Sequence, residues 1–157
     1  MFNSCNLLEK FPNLPATEMA EYCYLQMFGG CYAATEPAEI HATTMASGCF
    51  RHTFQDCIGL TKAPDIPAKE LASDCFFGMY DGCTALSEIR VHFTNWTGTS
   101  MWVNNVSPTG TFYCLQELEQ TFGVNNIPEG WDVEYFVEPT AIAEVEAKHN
   151  TSSTSEK

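Results

Sequence analysis

The sequence predicts an α/β repeat solenoid. It has short parallel strands on one face, short helices on the other, and an aromatic-rich cap at its C-terminal end. Three observations predict it. First, cysteines recur every 26 residues: Cys5, Cys31, Cys57 and Cys83 form one row, and Cys23, Cys49 and Cys75 a second. Second, Met1, Met27, Thr53 and Met79 hold the same register, as do Phe2, Phe28, Phe54 and Tyr80. Several independent rows in one register mark a solenoid, in which each unit buries its apolar face only against its neighbours. Third, every unit divides into a half with helical spacing and a half with strand spacing.

In the first half, Ala72, Cys75, Met79 and Tyr80 stand at i, i+3, i+7 and i+8, as do Ala46, Cys49, Thr53 and Phe54, and Ala20, Cys23, Met27 and Phe28. That spacing predicts one face of a short helix. Glu18 and Glu70 near its start suit the helix dipole. Gly30 and Gly82 fall where a left-handed stop is wanted. The second half is brief: Leu8-x-x-Phe11, Leu60-x-x-Ala63 and Leu86-x-x-Ile89-x-Val91, with prolines at 12, 15, 37, 64 and 67. A strand of a few residues cannot pair within its own unit, so it pairs with the next copy in a parallel ladder. The outward position before the inward residue reads Lys10, Glu36, Lys62, Glu88. Stacked in register, these place opposite charges on neighbouring rungs, each pair contributing about 0.2–1 kcal/mol. The row both fixes register and supplies a candidate ligand-binding surface on the concave side.

The pattern MF-x-G-C-x-x-L-x-x-A-P-x-[IL]-P-A-x-x-[LM]-A-x-x-C resembles the BspA-like leucine-rich repeats, over Met1 to about Phe93. The following WVNNVSPTGTFYC and IPEGW segments look like the module that often closes such arrays. The second repeat departs from the pattern, with Ala34, Pro37 and His41 in place of Leu, Ala and Pro, so its strand is the weakest of the set. The resemblance implies a leucine-rich-repeat solenoid in a bacterial surface protein or a phage component. It implies adhesion or surface display, outside the cell or on a virion. The family shares no active site, so no catalytic residue carries over.

The chain divides into a repeat array over 1–93, a capping module over 94–138 and a polar tail over 139–157. The array starts in mid-repeat, which is expected of a fragment of a longer array or of an end that something else covers. The N-terminus has no basic segment and no long apolar core, so it does not read as a signal peptide. The capping module holds all three tryptophans, Trp96, Trp102 and Trp131, which fill the space above the last repeat or stack on sugar rings. Thr111-Phe112-Tyr113 and Val133-Glu134-Tyr135-Phe136 read as strands, and 115–122 as one or two helical turns. In the tail, 141–149 has room for two helical turns, and the last residues are polar and low in complexity.

Twenty acidic residues stand against seven basic ones, a formal net charge of −13, and no basic residues cluster. Nucleic acid and anionic membrane surfaces are therefore disfavoured as partners. No apolar run approaches the roughly 20 residues of a spanning helix.

Eight cysteines invite a disulfide or metal reading. Within a unit, Cys75 and Cys83 stand about 10 Å apart if the stretch is helical, beyond the roughly 7 Å limit for a bridge. Equivalent cysteines on helices packed about 8–10 Å apart are out of range too. Seven of the eight read as ladders of small buried residues, and Cys114 stands outside both. No C-x-x-C occurs, and His41, His52, His92 and His149 are scattered, so neither a metal nor a cofactor is expected. Asn95, Asn105 and Asn150 begin glycosylation triplets that an Asn- and Thr-rich chain forms by chance.

Three functional classes follow. The first is a non-enzymatic recognition module that binds a protein or a glycan through the row Lys10, Glu36, Lys62, Glu88 or through the tryptophans. The second is a structural subunit that docks, or self-associates, through an open first rung at Met1, Phe2, Leu7 and Leu8. The third is a hydrolase using Glu117, Glu119 or Glu134, for which no nucleophile motif or phosphate loop lends support.

Overall fold

A computed structural model describes residues 2–139. Met1 and the expected helical turns at 141–149 lie outside the described residues. The described chain winds into stacked coils, and corresponding residues pair in parallel one period apart: Lys10 with Glu36, Leu14 with Ile40, Glu18 with Thr44, and Lys62 with Glu88. Among the described residues three short strands form one parallel sheet in the order β1 (Glu88–Arg90), β2 (Thr111–Cys114), β3 (Asp132–Tyr135). The second repeat, the weakest by pattern, pairs backward through Glu36, Ile40 and Thr44.

The expected helices are absent from the described residues, so the α/β solenoid with a helical face is overturned. Each stretch assigned to a helix is a run of four-residue turns. Left-handed backbone recurs every fourth residue, at Tyr22, Gln26 and Gly30, at Gly48, His52 and Asp56, and at Asp74, Gly78 and Gly82. An α-helix needs negative φ throughout, so these positions forbid one. The backbone hydrogen bonds alternate. Cys49, Arg51 and Thr53 donate to carbonyls three residues back, whereas Phe50, His52 and Phe54 donate to Cys75, Phe77 and Met79 on the next rung. The buried residues fall in pairs, Cys49-Phe50, Thr53-Phe54, then Cys75-Phe76, Met79-Tyr80. A period of four and a helical period of 3.6 differ by less than one residue over so short a stretch, which is why the pattern read as helical. The segment 115–122 is likewise turn and loop, apart from an isolated bridge from Phe122 to Ile127.

The ladder does not stop at Phe93. Glu88 pairs with Thr111 and Thr111 with Asp132, so the coil shortens from 26 residues to 23 and then 21 while staying in register. The strands expected near 111 and 133 are β2 and β3. The aromatic core follows the same stacking. Phe2, Phe28, Phe54 and Tyr80 stack at 5.5–5.9 Å between ring centres. A second file runs Tyr24, Phe50, Phe76. Both files end on Trp102, which is 2% exposed.

All eight cysteines are free thiols. Five of the seven ladder cysteines, Cys31, Cys49, Cys57, Cys75 and Cys83, are buried as expected, whereas Cys5 is half-buried and Cys23 exposed; the distance argument against bridges does not hold. Hydrogen-bonded rungs lie about 4.8 Å apart, closer than packed helices and within bridging range. The thiols instead donate to the preceding rung's backbone: Cys57 to the carbonyl of Phe28 at 3.1 Å and Cys83 to that of Phe54 at 3.0 Å. Burial pushes the Cys57 and Cys75 thiols up to about 12.

Candidate functional site

Alternation along β1 sets the site. Ile89 points into the core, so its neighbours Glu88 and Arg90 face outward. The register places Thr111 and Asp132 in line with Glu88, and Tyr113 and Glu134 in line with Arg90. Lys62 pairs with Glu88 from the preceding rung, and its ammonium lies 2.8 Å from the carboxylate. That hydrogen bond to Glu88 raises the Lys62 pKa, while the charge of Arg90 opposes it. Lys62, Asp65, Glu88, Arg90, His92 and Tyr113 line a cleft of about 480 Å³.

One wall is built by residues far apart in sequence. His92 Nδ1 lies 2.5 Å from a Glu138 oxygen, and Nε2 lies 2.8 Å from Asp65 Oδ1. The two contacts clamp the ring between the Glu138 and Asp65 carboxyl groups. Glu138 also pairs with Lys69. Hydrogen bonds from Lys69 and His92 hold its carboxyl below the usual range. The Arg90 guanidinium carbon lies 3.9 Å from the centre of the Phe136 ring, a cation–π contact that tethers the group to the ring.

The charged row predicted from sequence is brought together in pairs, Lys10 with Glu36 and Lys62 with Glu88. Only the second pair belongs to the cleft. Trp102 and Trp131 are buried and Trp96 is half-buried. Their indole nitrogens donate to the carbonyls of Asn126, Ser107 and Glu119. The tryptophans are thus packed and bonded inward rather than presented as a stacking platform. At the first rung Phe2 and Leu7 are exposed and Leu8 is half-buried. Glu117, Glu119 and Glu134 are exposed, and no ion pair or side-chain hydrogen bond joins them among the described residues.

Sequence reasoning missed Arg90, Tyr113, Asp65, His92, Lys69 and Glu138. Arg90 and Tyr113 were recoverable, because strand alternation from Glu88 and from Thr111 points them outward. Asp65 and His92 stand one period plus one residue apart, a weaker signal. Glu138 has no repeat register, and only the folded chain brings it to His92. Among the described residues no group of three or more His, Cys, Asp or Glu is arranged to hold a metal ion. Among the described residues no helix is long and apolar enough to cross a membrane. No family model, no curated protein and no solved structure matches this chain.

Proposed function

We propose that the chain is a non-enzymatic recognition module that binds a protein or a glycan through its strand face, with the cleft at Lys62, Glu88, Arg90 and Tyr113 as the contact surface. The observation that carries this is the cleft itself. It is concave, lined by charged and aromatic side chains, and built on backbone that the parallel ladder holds rigidly. Its volume is in the range of ligand sites. The resemblance to BspA-like repeats implies a bacterial surface or a virion as the setting of such a module. The test is a glycan and protein array probed with the labelled chain. Tyr113→Ala removes the expected binding, while Tyr22→Ala, on the turn half, leaves it intact. Binding lost only with Tyr22→Ala would move the site to the turn side and overturn the proposal.

A second reading, as a structural subunit, rests on the first rung, where Leu7 is 91% and Phe2 39% exposed. Light scattering over a concentration series tests it. A defined oligomer that dissociates on Leu7→Lys supports docking through this edge, and a concentration-independent monomer rejects self-docking.

A further inference from the structure

Arg90 differs from the other cations around it. The described residues include five basic side chains in an acidic chain, and four of them, Lys10, Lys62, Lys69 and Arg90, lie on the strand half. Lys62 is paired with Glu88 and Lys69 with Glu138. Arg51 sits on the turn half, over the ring of Phe77. Arg90 lines the cleft, is exposed, and has no carboxylate within ion-pair distance among the described residues. Phe136 tethers the guanidinium carbon at 3.9 Å, and among the described residues the N–H donors of Arg90 have no side-chain acceptor. A planar, tethered fork of this kind matches a carboxylate in two-point contact.

The rest of the lining narrows the ligand. Asp65 and Glu88 offer acceptor oxygens, and Tyr113 a phenol and a ring. Hydroxyl groups are the complementary donors. A polyanion is disfavoured by the net charge of −13. An extended peptide adding as a strand is disfavoured too, because β1 is paired on one side with Lys62 and on the other with β2. We propose that the cleft is a subsite for a carboxylate-bearing sugar residue, such as a uronic or sialic acid. Arg90 binds the carboxylate, and Asp65, Glu88 and Tyr113 accept from or pack against the hydroxylated ring. This assignment rests on the strand-face recognition reading and gives it a ligand class.

The experiment is calorimetric titration of the full chain with galacturonate, N-acetylneuraminate, the methyl esters of both, galactose, and a short acetylated peptide with a free C-terminus. At least one acid is expected to bind, with its ester and galactose weaker by roughly tenfold or more, the scale of a lost hydrogen bond to a charged group. Arg90→Gln brings the acid down to its ester, with the thermal midpoint lowered by only about a few degrees through the lost cation–π contact, and added salt weakens only the acid. Equal binding of acid and ester, or full affinity in Arg90→Gln, overturns the proposal. So does Arg90-dependent binding of the peptide without the sugars. Neutral-sugar binding lost in Tyr113→Ala would overturn the carboxylate assignment and leave the strand-face reading standing. No binding to any of these sugars overturns the carboxylated-sugar assignment, and binding insensitive to both substitutions overturns both readings.

Discussion

The imidazole of His52 occupies the space that a side chain at Gly78 would need. A Cβ at Gly78 would stand 2.4 Å from His52 Nδ1, and the Gly78 φ is +58°. The same relation recurs between Tyr22 and Gly48 and between Asp56 and Gly82. On the turn face, a left-handed residue with a side chain lies on a left-handed glycine of the next rung. The arrangement buries His52 Nδ1 without a hydrogen-bond partner, and burial lowers the ring's pKa.

Gly78→Ala is therefore expected to destabilise the chain by about 1–2 kcal/mol from the left-handed backbone alone, plus the clash with His52. In a His52→Ala background the clash is gone and the backbone term remains, so the loss is smaller. A denaturant double-mutant cycle checks this. Equal losses in both backgrounds would show that the two residues do not meet.

Core substitutions test the stacking. Leu60 is fully buried, so Leu60→Asp places an unpaired charge between rungs and costs more than roughly 4 kcal/mol. Trp102→Ala removes the residue on which both aromatic files end and costs about 3–5 kcal/mol. Lys62→Ala breaks only a partly exposed ion pair and costs less than about 1 kcal/mol. Thermal unfolding of the three variants gives the ranking, and a silent Leu60→Asp would reverse the inward and outward assignment.

The thiols set the alkaline limit. Burial raises Cys49 to about 11 and Cys57 and Cys75 to about 12, from an ordinary value of 9.0. The folded state thus keeps protons that the unfolded chain gives up, and stability falls as pH rises from about 9 toward 12. Below 9 this contribution is fully present. Cys23 is exposed and reacts with a thiol reagent in the folded chain, while the buried cysteines react only after unfolding. Urea midpoints at pH 8, 9.5 and 11, with thiol counts by mass, measure both, and a flat profile would contradict the burial.

Glu138 sets an acid limit of the opposite sign. Its carboxyl is held below the ordinary 4.5 by Lys69 and His92, with Asp65 on the far side of that ring. Its contribution is present above that ordinary value and is lost as pH falls through the lowered one. The Phe136 amide donates to the Cys114 carbonyl, and its exchange protection, corrected for the intrinsic pH dependence of the rate, should fall on acidification in the wild type. In Glu138→Gln that protection should already be low at neutral pH and respond less to acid.

The sequence by itself determined the repeat, its register, the stacked core and the inward and outward sides of the strand half. Rows such as Phe28, Phe54 and Tyr80 have to meet if units of equal length stack, and Lys62 has to face Glu88 for the same reason. It also held a signal against the helices, since Gly48 and Gly78 sit inside the expected helical stretches, where each costs about 1 kcal/mol relative to alanine. Only the tertiary structure decided between the two periods, because hydrogen bonds to the next rung compete with those along a helix and both bury the same residues. It alone decided the cleft as well. Arg90 acquires its tether from Phe136, and His92 its clamp from Glu138, on a segment with no repeat to announce where it returns.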